Sequence, residues 1–93
     1  MSYRITEISF DPSKKDELFA YVDSQRDQIK AVNGLKLVYE IDIDEGQSVI
    51  IARYDSEESA VAASETIKGI LEGMGQFMTA PPNRRGGPIT WEM

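Results

Sequence analysis

The sequence contains no cysteine and no histidine. Without cysteine there is no disulfide, no thiolate nucleophile and no cysteine-based metal site, and without histidine the commonest metal ligand and the usual neutral-pH general base are missing too. A metal site is therefore not expected. No apolar run approaches the ~20 residues that cross a bilayer, and residues 1–10 lack the basic and apolar segments of a secretory signal, so the expectation is a cytoplasmic protein. Basic residues are scarce: 10 Lys and Arg stand against 16 Asp and Glu, a net charge of −6. Nucleic acids and anionic membranes are held chiefly by Lys and Arg, so neither is an expected partner. Proline is rare until the end of the chain, where Pro81, Pro82 and Pro88 cluster.

What is present is an ordinary globular composition, 41% hydrophobic and 28% charged, in 93 residues. Residues 1–93 read as one domain with a marginal core, burying roughly 65% of its unfolded surface. A partner subunit would strengthen it. The stretch YRITEISF, residues 3–10, is β-branched and aromatic and stops at Asp11-Pro12, which predicts a first strand. Asp11 as cap and Pro12 at the first helical position predict a helix that runs to Asn33, with Gly34 as its left-handed exit. Within it Leu18, Tyr21, Val22, Ile29 and Val32 recur at helical spacing.

KLVYEIDIDEGQSVIIARY predicts a hairpin turning at Asp44-Glu45-Gly46, with Gly46 at positive φ. A three-residue loop sorts Leu37, Tyr39, Ile41, Val49 and Ile51 onto one apolar face and Val38, Glu40, Ile50, Ala52 and Tyr54 onto a mixed one. A second helix starts at Asp55, with Glu58 completing a capping box, and is expected to break near Gly73–Gly75. PITWEM then reads as a last strand; Arg84-Arg85 before it are weighed as an anion-binding pair, but they lack the Gly-rich strand-to-helix context of a phosphate loop and read as an exposed turn. The order strand, helix, strand, strand, helix, strand predicts an α+β, ferredoxin-like βαββαβ sandwich: a four-stranded antiparallel sheet with two helices on one face. The other face would lie bare. With Ile8, Phe10, Val38, Ile50, Ala52 and Tyr54 assigned to it, that face is too apolar for water, which predicts a homodimer through the sheets.

These residues also carry a family resemblance along the whole chain. IIARYDSEESA looks like the third strand and helix start of the antibiotic biosynthesis monooxygenase superfamily, and TAPPNRRGGPITWEM looks like a variant of its C-terminus. The resemblance implies a dimeric α+β barrel with a small aromatic or polyketide-like ligand held between sheet and helices. It also implies a cofactor-independent monooxygenase, in which the substrate's own carbanion activates oxygen and no cofactor is needed. Many active relatives carry a helix histidine nine or ten residues after the position of Tyr54; here Ala63 and Ser64 stand there. The haem-degrading relatives share a strand asparagine, whereas this chain has asparagine only at 33 and 83. Haem degradation is not expected.

On that reading Tyr54 and Glu40 are the catalytic candidates, because a carboxylate in an apolar cavity has a raised pKa suited to taking a proton. The competing reading pairs Glu40 with Arg4 or Arg53 across strands, or places it at the barrel rim, and leaves Tyr54 as core. Arg53 and Trp91 are ligand-binding candidates, one to steady an enolate and the other to stack on an aromatic ring. The alternative at the level of function is a non-catalytic dimeric module that binds a small ligand or supports an assembly.

Overall fold

Strand formation begins at the second residue. The computed structural model describes residues 1–93, and β1 covers Ser2–Ser9, with Phe10 closing an isolated bridge to Met78. Asp11 caps the next turn, accepting the Ser13 N–H at 3.0 Å. The chain makes a short 3-10 turn over Pro12–Lys14 and then two helices, α1 (Lys15–Ser24) and α2 (Arg26–Lys30). The unbroken helix expected here is interrupted at Gln25. Beside the break the Ser24 hydroxyl donates to the Tyr21 carbonyl at 2.5 Å, a local bond that competes with the helical ladder. Gly34 leaves α2 at φ +82°, the left-handed exit expected of it.

The hairpin consists of β2 (Leu35–Asp44) and β3 (Gln47–Tyr54). Asp44 pairs with Gln47, so the tip holds only Glu45 and Gly46, and Gly46 sits at φ +72°. The loop is thus one residue shorter than the predicted three. An irregularity between Asp42 and Asp44 restores the missing residue within the strand. The two changes cancel, and the predicted sorting of side chains survives: Tyr39 faces Ile51 and Ile41 faces Val49, while Val38 faces Ala52 and Glu40 faces Ile50.

Ser56, not Asp55, caps the next helix, α3 (Glu57–Ala62), by accepting the Ser59 N–H at 3.1 Å. Ala63 interrupts it before α4 (Ser64–Gly73), and again a serine hydroxyl bonds back to a helical carbonyl, Ser64 to Ala60 at 3.3 Å. A 3-10 turn over Gly75–Phe77 succeeds the expected break. The last strand is displaced from its prediction. β4 covers Asn83–Pro88, so PITWEM is not a strand, and Arg84-Arg85 belong to a strand instead of a turn. Gly86 makes this register possible: a Cβ there would lie 2.2 Å from the Tyr3 carbonyl oxygen and 2.5 Å from the Arg4 side chain. Pro and Gly are tolerated because β4 is an edge strand.

The sheet order is β2-β3-β1-β4, with every neighbouring pair antiparallel. This is the ferredoxin-like α+β arrangement. The faces, however, are exchanged relative to the sequence expectation. Ile8 and Phe10 pack with Leu18, Met74 and Phe77, and Tyr54 packs with Ala60 and Ala63, so the Ile8–Tyr54 face is the one that the helices cover. The open face carries Ile5, Tyr39 and Ile41, which are 39%, 60% and 44% exposed. Apolarity does not select the covered face, since the more apolar of the two is the open one. What distinguishes the covered one is a row of small side chains, Ser2, Thr6, Ser48 and Ala52, which leaves volume beneath the helices.

Candidate functional site

Small residues on the covered face leave the two layers incompletely packed. A cavity of about 360 Å³ lies between sheet and helices, and 12 of its 20 lining residues are hydrophobic. Val22 and Ile29 face it from the first helical layer, Ile67, Ile70 and Met74 from α4, and Ala52 from the sheet. Its size falls within the ~300–1,000 Å³ of small-molecule pockets, and its mix of apolar walls with a few polar groups is that of a binding site. Exposed Asp23, Lys30 and Lys36 edge its mouth.

Glu40 and Tyr54 both line this cavity. Alternation along β2 and β3 turns them to the same face, and the register opposes Glu40 to Ile50 and Tyr54 to Leu35 and Ser2, so neither is paired directly with a cross-strand cation. Tyr54 is fully buried, yet its hydroxyl has no hydrogen-bond partner. One carboxylate oxygen of Glu40, Oε2, is likewise buried and unpartnered. Burial is the main force raising the Glu40 pKa, and the nearby Asp42 charge adds to it, while Ser48 and Lys15 pull the other way. The ion pair of the competing reading, Glu40 with Arg4 or Arg53, is not formed: Arg4 bonds Glu57, and Arg53 makes no salt bridge.

Arg4 instead reaches the other way. It forms a salt bridge with Glu57 in the first turn of α3, and Nη1 donates to the Ser2 hydroxyl at 3.2 Å and the Tyr3 carbonyl at 3.1 Å. Ser2 completes the cluster by donating to Glu57 at 2.5 Å. The Arg4 and Ser2 hydrogen bonds hold the Glu57 carboxyl at a pKa of about 2. This cluster ties β1 to the start of α3, and it occupies the charge of Arg4 at one wall of the cavity.

The other two sequence candidates lie elsewhere. Arg53 alternates with Tyr54 and pairs across β1 with Tyr3, on the open face. Trp91 is outside any strand and 76% exposed. Neither lines the cavity. The residue that the sequence analysis set aside as part of a turn is Arg84, which lines the cavity with a buried, unpartnered Nη2. Pro and Gly around it read as a turn, which hides it. Alternation across NRRGGP separates the two arginines: Arg84 opposes Thr6 and Arg85 opposes Ile5 in β1, and Arg85 bonds Glu7 at 2.7 Å on the open face. A second, outer cavity of about 710 Å³ runs along α4 and Thr79–Pro82, with only 3 of its 12 lining residues hydrophobic, and adjoins the first at Leu71 and Arg84.

No family model matches the sequence, and no curated protein matches it. Solved structures do. A protein from Nitrosomonas europaea that bears the name antibiotic biosynthesis monooxygenase superposes with a TM-score of 0.79 at 16% identity, over 98% of this chain and 100% of its own. The chain has the fold of the antibiotic biosynthesis monooxygenases. Rv0793 from Mycobacterium tuberculosis matches with a TM-score of 0.76 at 19% identity, over 98% and 96% of the two chains. The Streptomyces coelicolor monooxygenase from the gene ActVA-Orf6, solved in complex with the ligand nanaomycin D, matches with a TM-score of 0.79 at 15% identity, over 99% and 89%. Ala63 packs with Tyr54 and Ala60 in the core. No group of three or more acidic side chains is placed to hold a metal ion, and no helix is long and apolar enough to cross a membrane.

Proposed function

We propose that the cavity between sheet and helices binds a small aromatic or polyketide-like compound and oxygenates it without a cofactor. The observation that carries this reading is the pairing, in one apolar cavity, of a carboxyl with a raised pKa and a buried tyrosine hydroxyl that has no partner within the protein. Glu40 takes a proton from an acidic C–H of the substrate, leaving a delocalised carbanion. Tyr54 donates a hydrogen bond to the oxygen on which that negative charge accumulates. Dioxygen is the oxidant: a ring CH₂ becomes C=O, one oxygen atom enters the product and the other leaves as water. Burial helps, because a hydrogen bond aimed at developing charge is worth more in a low-dielectric site than in water.

Two copies would join through the open sheet face, in which Ile5, Tyr39 and Ile41 stand exposed beside half-buried Val49 and Ile51. A contiguous apolar face of that kind marks an interface, and a self-complementary patch closes into a two-fold dimer.

A binding module without catalysis is the second reading, favoured by the charged, exposed rim of the cavity, which leaves the site open to water. Oxygen uptake with a panel of anthrones and quinols separates the two. Wild type should consume one O₂ per substrate converted, and Glu40→Gln should lower the rate by on the order of 100-fold or more, the usual worth of a general base. Equal rates for wild type, Glu40→Gln and Tyr54→Phe would eliminate this site. Binding without any uptake would leave the module.

A further inference from the structure

Three arginines line the inner cavity. Arg4 is bound to Glu57 and Arg26 to Asp23 at 2.7 Å, whereas no carboxylate lies within salt-bridge distance of Arg84. A guanidinium has five N–H donors, and its charge is costly to bury without an acceptor. In a chain of net charge −6, with Glu65 and Glu72 lining the adjoining outer cavity, an acidic partner for Arg84 would have been easy to supply. None is there. Of the four buried side-chain polar atoms that lack a partner, three, on Glu40, Tyr54 and Arg84, belong to residues of this one cavity; the fourth, Arg53 Nε, belongs to a residue outside it.

We propose that the cavity selects ligands bearing one anionic oxygen group, a carboxylate or an ionised enol or phenol, which Arg84 binds while the apolar walls hold the rest of the molecule. This rests on the ligand-site reading above and sharpens it to a substrate class. Arg84 approaches from β4, across from Glu40 on β2, so the anion is bound at the β1–β4 side of the cavity and the apolar body extends toward Ala52 and Val22. The two cavities meet at Arg84, so the bound anion would lie where the inner site adjoins the outer groove. Lys30 and Lys36 also line the cavity without a salt bridge, but both are exposed at its mouth, whereas Arg84 carries a buried donor that has no acceptor. Arg85, the next residue, is the built-in control: it lies on the opposite face and is already satisfied by Glu7.

The test uses a matched pair of probes, 2-naphthoate and its neutral counterpart 2-naphthamide, titrated into wild type, Arg84→Gln, Arg84→Lys and Arg85→Gln. Backbone amide shifts at Ala52, Tyr54 and Ile70 report the site, and thermal denaturation confirms that each variant is folded. Wild type and Arg85→Gln should bind the acid on the order of 10- to 100-fold more tightly than the amide, the worth of one charge-assisted hydrogen-bonded pair. Arg84→Gln should erase that preference, and Arg84→Lys should keep part of it. Equal affinity for acid and amide in wild type, or a preference that persists in Arg84→Gln, overturns the anion anchor and leaves the ligand cavity standing. Cavity shifts with neither probe would overturn both.

Discussion

Tyr54 carries two roles that a substitution can separate. Its ring fills the core against Ala60 and Ala63, but its hydroxyl has no partner within the protein. A buried hydroxyl left unbonded contributes nothing to stability and costs its lost hydration. Tyr54→Phe should therefore leave stability unchanged or raise it by up to ~1 kcal/mol, read from the urea midpoint, while oxygen uptake falls. A loss of more than ~1 kcal/mol would mean that the hydroxyl is bonded in the folded state. That Glu40 and Tyr54 share a face was legible at this scale, because it follows from the hairpin's alternation. Arg84 was not. Its chemistry depends on β4 being a strand, and the local Pro and Gly signals favour a turn.

At the scale of elements, both expected helices are divided, at Gln25 and at Ala63, and apolar spacing gave no warning of either break. Beside the breaks, Ser24 and Ser64 each bond back to a carbonyl of the preceding turn. Docking of these pieces rests partly on Glu57, whose carboxyl joins α3 to Arg4 and Ser2 of β1. Its folded pKa of about 2 lies below the ordinary 4.5, so its contribution is fully present above pH 4.5 and is lost as pH falls toward 2. Acid titration of the urea midpoint should show this loss in wild type. Glu57→Gln should be less stable at neutral pH and should show a flatter decline between pH 4.5 and 2. A parallel decline in both proteins would mean that the cluster does not link folding to pH.

At the scale of the whole molecule, the main question is what covers the open sheet face. The sequence expectation that one sheet face is too apolar to stand alone concerned the wrong set of residues, since Ile8, Phe10 and Tyr54 lie under the helices. The set that is uncovered is the more apolar of the two, which strengthens the case for a second copy. A standard interface buries on the order of 800 Å² per partner, an extent suited to the face of one small sheet. Sedimentation of wild type should return a mass of twice 10.4 kDa, and Tyr39→Lys combined with Ile41→Lys should yield folded monomers. A wild-type monomer that stays folded at micromolar concentration would rule the dimer out.

By itself the sequence determined the order of elements, the positive-φ glycines of the turns and the division of the hairpin into two faces. Each of these is set by near neighbours: a cap by the residues three positions on, a face by the period of two. Tertiary structure alone decided which sheet face meets the helices, where the last strand begins and which arginine is left without a carboxylate. Those outcomes depend on the volume between layers and on the fit of Gly86 beneath Tyr3 and Arg4, quantities that belong to residues distant in the chain and that no local pattern records.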